Sequence, residues 1–404
     1  MFGFDIINDT PTTNKTIFLR CDFNVPLDEN GNIIDDSKIK LSLPTIKYLV
    51  KTGARVVIGT HIGNPKGTFN EKLSTKVIYK YLQRVLRCQV HFCNDCIGDD
   101  TKREIFRASY GDVVVLENLR FHPEEENCNF NFAKQLSDGM NLYVNDALSC
   151  CNLQYASILG VPLFIRATAG LTLAKNVEIV KKVFENRDTL IILGGKNLAG
   201  KIEIINNLAD RVKYIAIVGT LANAFFSALG NNVGKSIRAI EYEEEILDAI
   251  RKAEKNDCQI ILPVDVFVSN DISSTANIEQ KLATQLEKND IIVDIAEKSI
   301  SNIKYLLSSV KNVIWYGSAG ISELAKFANG SIEICNEIAD LTNKEKITSL
   351  AGGKNVISII KQEDKIDSFS FISNSNQVFS MLLSGKILPG LEILHRLSKT
   401  AEMQ

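Results

Sequence analysis

The chain has 404 residues, 45% hydrophobic and 23% charged, with 46 basic and 48 acidic side chains for a net charge of -2. That length exceeds one ordinary domain, so two are expected, and the composition excludes a disordered chain. A near-neutral balance provides no global field for nucleic acid or an anionic membrane, and no run of about 18 apolar residues is present to cross one.

The opening residues, Met1-Phe2-Gly3-Phe4-Asp5, lack a basic stretch followed by an apolar core, so no signal peptide is expected. Apolar runs at 16–19, 55–58, 90–92, 113–116 and 142–144 read as buried strands, and 44–51, 75–86, 101–108 and 132–136 as the helices between them. This βαβα order implies a parallel sheet covered on both faces. A stretch at 171–184 with apolar residues three and four apart predicts a connecting helix. The pattern then restarts. Strands are expected at 190–193, 215–218, 260–262, 313–315, 348–350 and 369–372, and helices at 202–208, 221–228, 243–253, 303–309, 323–327 and 356–361. The fold class is therefore α/β, with two Rossmann-like doubly wound parallel-sheet domains joined by a hinge helix. Ligands of such sheets bind beyond the carboxyl ends of the strands, in a cleft that a hinge can close.

Nine cysteines, an odd number without disulfide-like spacing, predict reduced thiols and a cytosolic setting. Cys93 and Cys96 form a C-x-x-C, the pattern of a redox centre or half a zinc site. No second pair follows, so they read as structural thiols. The adjacent Cys150 and Cys151 read as loop or core thiols.

The residues after the strands carry a specific resemblance. The segments R-C-D-F-N-V-P at 20–26, L-P-T-I at 43–46, T-H-I-G-N-P-K-G at 60–67, L-E-N-L-R-F-H-P-E-E-E at 116–126, Y-V-N-D-A at 143–147 and I-L-G-G at 192–195 are followed by L-P-V-D-V at 262–266, W-Y-G-S-A-G at 315–320 and S-G-K-I-L-P-G at 384–390. In this order and spacing the chain resembles the phosphoglycerate kinase family over essentially its full length. The resemblance implies an N-terminal domain (1–168, with 390–404 returning to it) for 3-phosphoglycerate, a connecting helix at 169–186, and a C-terminal domain at 187–389 for Mg-ADP or Mg-ATP. It also implies a cytoplasmic monomer of glycolysis whose partners are a phosphometabolite and a nucleotide.

Asp22 and Asn24 lie two apart in an extended segment and face one side, suiting hydroxyl and carboxylate recognition; a turn-capping pair is the plainer alternative. His61, just past a strand, can donate to a carboxylate or phosphate oxygen. Arg120 offers a planar fork to phosphate, with a surface salt bridge as its alternative. By the resemblance, Lys38 stands for an arginine of the acceptor site, keeping the charge without the bidentate geometry. Asn64 and Leu153 stand where two further arginines belong.

On the nucleotide side the resemblance implies that Lys201 contacts phosphates and, with Lys38, carries the catalytic charge. Asn197 stands for a second lysine, with Lys196 as a possible substitute. Glu323 aligns with a carboxylate to the ribose, or serves as a first-turn helix acid. Gly352 and Gly353 belong to the phosphate-binding turn Ala351-Gly352-Gly353-Lys354-Asn355. There Lys354 replaces the aspartate that holds magnesium. An ammonium repels that ion, so no metal ligand is assigned, ATP or ADP is the expected cofactor, and Mg2+ is disfavoured. The loop Ser373-Asn374-Ser375-Asn376 takes the place of three glycines whose backbone cradles the moving phosphoryl. Two readings follow: a divergent working kinase, and a non-catalytic relative serving as a binding or regulatory module. Phosphoryl transfer depends on positioning and charge neutralisation, so the losses predict weak or absent turnover.

Overall fold

The computed structural model describes residues 3–402. Met1 and Phe2, part of the segment read for a signal peptide, and 403–404 of the expected return lie outside the described residues. The chain divides into two compact units, Met1–Glu178 with Ile387–Gln404, and Ile179–Lys386.

In the first unit, β1 (Thr16–Arg20), β2 (Arg55–Gly59), β3 (Val90–Phe92), β4 (Val113–Val115), β5 (Leu142–Asn145) and β6 (Ala167–Ala169) form a parallel sheet in the order β3-β4-β2-β1-β5-β6. Every residue of β1, β2, β4 and β5 is buried. Continuous Val/Ile/Leu runs of that kind suit strands covered on both faces. The order reverses at β1, which has β2 on one side and β5 on the other, so its carboxyl end is the topological switch point.

The helix expected at 44–51 spans Ser37–Lys51, with Pro44 inside it. Proline favours the first helical turn. Here burial of Ile39 and Ser42 ahead of it draws two more turns onto the sheet, offsetting one missing backbone donor. The last helix, Pro389–Glu402, packs on this unit: the Gly390 amide donates to the Cys151 carbonyl at 2.8 Å and the Asp5 amide to Ser398 Oγ at 2.9 Å.

The second unit contains β7 (Thr189–Leu193), β8 (Tyr214–Ile217), β9 (Gln259–Ile261), β10 (Asp265–Ser269), β11 (Glu279–Leu282), β12 (Ile291–Ile295), β13 (Asn312–Tyr316), β14 (Thr348–Gly352) and β15 (Phe371–Ile372). Six of these strands make a parallel sheet, β15-β14-β13-β7-β8-β9, and the other three an antiparallel sheet, β11-β10-β12. The antiparallel sheet has no counterpart in the sequence reading, because β11 is Glu-Gln-Lys-Leu and largely exposed. The helix expected at 323–327 is only a short 3-10 turn, Ala325–Phe327. The true helix is Asn329–Asn343, hidden behind an Asn-Gly that signals a turn. A distant residue settles it: Asp294 Oδ2 accepts from the Gly330 amide at 2.8 Å. All nine cysteines are free thiols, and no described helix is long and apolar enough to cross a membrane.

Asp146, the residue after β5, connects sheet to helix. Its Oδ1 accepts from the amides of Thr172 at 3.1 Å and Leu173 at 3.0 Å, capping the helix Leu171–Phe184. Burial pushes its pKa up to about 7 from 3.8. The folded chain therefore binds this proton when the unfolded chain has lost it, and the resulting stability declines as pH rises from about 4 to 7. Across that window, wild type is expected to lose up to about 1.4 kcal/mol per pH unit relative to Asp146→Asn in denaturant titrations. A pH-independent difference between the two would contradict this account.

Candidate functional site

The switch point of the first unit gathers Asp22, Asn24, Lys38 and His61. Lys38, in the first turn of its helix, places Nζ 2.8 Å from Asp22 Oδ2, and Ser149 Oγ donates to the same carboxylate oxygen. Burial opposes ionisation of Asp22, but the Lys38 ammonium overcomes it and holds the pKa at about 2. Asp22 Oδ1 accepts from the Asn24 amide at 3.1 Å, and Asn24 Oδ1 from the Gly63 amide at 2.8 Å. Both oxygens thus brace the loop, while the Asn24 amide nitrogen remains available as a donor.

His61 is buried, with Nδ1 3.4 Å from Arg20 Nη2. Burial, with Arg20 close by, drives its pKa well below the ordinary value. The ring is therefore neutral at pH 7, and an Nδ1 facing a guanidinium leaves the proton on Nε2, a tautomer assigned from this contact.

Arg120 meets the same loop from the other side. Its Nη1 donates to the Gly63 carbonyl at 2.9 Å, its Nε lies 3.4 Å from Glu126 Oε1, and its guanidinium carbon sits 5.3 Å from the centre of the Tyr155 ring. The Tyr155 hydroxyl in turn donates to Glu126 at 3.1 Å. Both terminal nitrogens are thus engaged within the chain, through Gly63 and the Tyr155 hydroxyl, whereas the buried Nε has only the ionic contact and no hydrogen bond among the described residues. Asn64 is exposed. Leu153 is half-buried in an apolar cluster with Ala147, Cys150 and Ile158.

In the second unit Lys201 is buried at 5% exposure. Its Nζ donates to the Tyr316 carbonyl at 2.7 Å and lies 2.9 Å from the centre of the Tyr316 ring. Burial pulls its pKa well below the usual lysine value. Tyr316 ends β13 and leans over the next glycine turn: a side chain placed on Gly353 would come within 3.2 Å of the ring. Gly353 has φ of +100°, a conformation that favours glycine, and precedes the helix Lys354–Gln362. The Tyr316 ring packs edge-on against Phe379 at 5.3 Å, and its hydroxyl reaches Asn376 and Ser380.

Lys354, first residue of that helix, is exposed, while Asn355 Nδ2 donates to Glu323 Oε1 at 3.2 Å. Glu323 sits in a turn rather than in the first turn of a helix, which removes its macrodipole alternative. Asn197 caps the helix Leu198–Leu208, accepting from the Gly200 amide at 3.3 Å, and Lys196 beside it is exposed. Ser375 caps Asn376–Leu383 through Val378 at 3.3 Å. Among the described residues, no grouping of metal-ligating side chains occurs in this unit.

Sequence reasoning assigned no role to Arg20, Glu126, Ser149, Tyr155 or Tyr316. Arg20 and Tyr316 are strand ends, the one signal that could have singled them out. Ser149, Glu126 and Tyr155 act through contacts with residues far along the chain.

The profile of the family described as Phosphoglycerate kinase matches residues 7–386. A phosphoglycerate kinase of Wolbachia pipientis subsp. Culex pipiens is 37% identical over 381 residues, 94% of this chain and 96% of its own length. That of Dictyoglomus turgidum is 39% identical over 394 residues, 96% of this chain and 97% of its own. Among solved structures, phosphoglycerate kinase from Coxiella burnetii superposes with a TM-score of 0.90 at 28% identity, covering 98% of this chain and 100% of that one. The Pyrococcus horikoshii enzyme gives a TM-score of 0.79 at 26% identity, covering 98% and 99%.

Lys201 generates a pH prediction. A lysine whose folded pKa is depressed costs stability below its unfolded pKa, and the cost is relieved as pH climbs toward that value of 10.5. Raising pH from 7 to 10 is expected to stabilise wild type relative to Lys201→Met, measured as the difference in denaturation midpoint. Parallel pH profiles for the two proteins would show that the ammonium stays charged in the fold.

Proposed function

The chain belongs to the phosphoglycerate kinase family, and from that premise we propose that it carries the family's glycolytic phosphoryl transfer between ATP and 3-phosphoglycerate at a strongly reduced rate. One observation carries the reading: the Tyr316 ring covers both Lys201 and the Gly353 turn. A polyphosphate needs open backbone donors and an unshielded cation at the strand ends. Here an aromatic face occupies that approach, and the lysine is engaged by the carbonyl beneath it.

The acceptor side supports the same reading. Asn24 Nδ2 and the Nε2 proton of His61 remain as donors to the carboxylate and hydroxyl of a sugar acid. Lys38 and Arg120 would neutralise its phosphate, but each already holds a carboxylate of this chain, Asp22 and Glu126. An incoming anion must displace these before it gains either charge. Leu153, packed among apolar neighbours, adds no cation.

The family uses ATP or ADP with Mg2+. The residues here do not fit that ion. Lys354 presents an ammonium at the turn where an oxygen ligand is required, and the neighbouring Asn355 already engages the Glu323 carboxylate. We assign Glu323 to the ribose and derive no step through the metal. Free thiols throughout support a reducing compartment, which we take to be the cytoplasm, with the chain acting as a monomer on small molecules. The shielding by Tyr316 also favours a second reading, a non-catalytic module that binds a phosphometabolite without turning it over.

A coupled assay with Mg-ATP and 3-phosphoglycerate is expected to give kcat/KM at least about 10³-fold below an intact family member. Turnover within tenfold of that enzyme would overturn the proposal. In calorimetry, Tyr316→Ala is expected to tighten Mg-ADP binding by about tenfold or more, about 1.4 kcal/mol. Adding Lys354→Asp and Leu153→Arg to that variant should then raise turnover, whereas the pair alone should not.

A further inference from the structure

The C-x-x-C at 93–96 lacks a second pair in the sequence, yet the fold brings Cys96 different companions. Cys96 Sγ, His122 Nε2 and an Asp95 carboxylate oxygen all lie within 4.8 Å of one another. His122 Nε2 is already 2.6 Å from Asp95 Oδ1, and Cys96 Sγ lies 2.9 Å from the Glu117 carbonyl oxygen. We propose that Asp95, Cys96 and His122, with the Glu117 carbonyl as a fourth donor, form a binding site for a zinc-class divalent cation.

The donor chemistry selects the ion. One thiolate, one imidazole and one carboxylate make a borderline-soft set that suits Zn2+ and its analogue Co2+, while Mg2+ and Ca2+ require oxygen throughout. Donors about 2.0–2.3 Å from zinc stand roughly 3.3–3.8 Å apart in a tetrahedron. The three side-chain donors, none more than 4.8 Å from another, reach that spacing through shifts of about 1 Å. The parts differ in mobility as a site needs: Cys96 is buried, His122 is half-buried with its ring against Phe132 at 5.0 Å, and Asp95 is exposed and able to swing. Binding replaces the Cys96 thiol proton with the metal and releases that proton to solvent, while His122 ligates as the neutral ring.

Cys93 stands outside the set. Its Sγ faces the Thr101 carbonyl at 4.0 Å and does not join the three donor atoms that lie within 4.8 Å of one another. The motif therefore marks the site through its second cysteine alone. Glu117 and His122 flank Arg120 in the chain, so a metal held by both would clamp the segment that presents Arg120 to Gly63 and Glu126.

The test is a Co2+ titration of the reduced full-length protein, followed by zinc competition with a chromophoric chelator. Wild type is expected to bind one Co2+ per chain with a thiolate-to-cobalt charge-transfer band in the near ultraviolet. Cys96→Ser should abolish the band, and His122→Gln and Asp95→Asn should each weaken zinc binding by about 10- to 100-fold. Cys93→Ser should leave both unchanged. The two exposed-side variants keep the test decisive even if the buried cysteine cannot be replaced without unfolding. The proposal is overturned by wild type that fails to bind one metal more tightly than about 10 μM, roughly 7 kcal/mol. It is equally overturned by a band that persists in Cys96→Ser, or by a loss in Cys93→Ser as complete as that in Cys96→Ser.

Discussion

A guanidinium with no exposure to water organises the first unit. Arg20 closes β1 at the switch point and is 1% exposed. A charge buried so deeply must be paired and hydrogen-bonded throughout. Its Nε donates to Ser157 Oγ at 2.8 Å, Ser157 is itself held by Glu125, Nη1 donates to the Cys21 carbonyl, and Nη2 lies against His61. This single requirement fixes the end of β1, the loop after β2, the acidic turn at 123–126 and the segment after β5. It also sets local electrostatics, because a neighbouring permanent cation helps keep His61 neutral. The contrast with Asp22, ionised beside Lys38, gives two titratable neighbours in opposite states within one small region.

The two units hold their cations in different ways. In the first, charge is abundant and partly balanced within the chain: Lys38 faces Asp22 and Arg120 faces Glu126, while Arg20 is held by Ser157 and the Cys21 carbonyl. In the second, charge is scarce and covered. Among the described residues Lys201 has no acidic partner, and its polar surroundings are a carbonyl and a π face from one residue. On the proposed reading, in-line transfer calls for both surfaces to be open and cationic. Both arrangements lie beyond the strand ends, over closely packed sheet cores.

The parallel sheets were legible in the sequence wherever strands were continuous Val/Ile/Leu runs, as at Thr189–Leu193 and Asn312–Tyr316, since such runs are buried on both faces whatever surrounds them. The antiparallel β10–β12 sheet was not, because one of its strands is mainly polar and defined by its partner. Nor was the helix Asn329–Asn343, whose start depends on a carboxylate 36 residues earlier. The same boundary divides the site. Asp22, Asn24, His61 and Arg120 could be placed at strand ends from local motifs, but what engages them could not. Ser149 reaches Asp22 across 127 positions and Tyr155 reaches Arg120 across 35. Tyr316 lay just past the strand expected at 313–315, in a motif that gave it no role of its own, and only the packing shows its ring lying across the Gly353 turn.

In the proposed acceptor site, the contact of Arg120 with Glu126 makes anion capture an exchange reaction. A newcomer gains the guanidinium only by evicting a tethered rival that is always present at high local concentration. Selection then falls on charge density more than on shape: a singly charged anion merely replaces like with like, whereas a dianionic phosphate brings a surplus. Such a pocket would favour phosphorylated over plain sugar acids by charge alone, before Asn24 or His61 contributes to recognition.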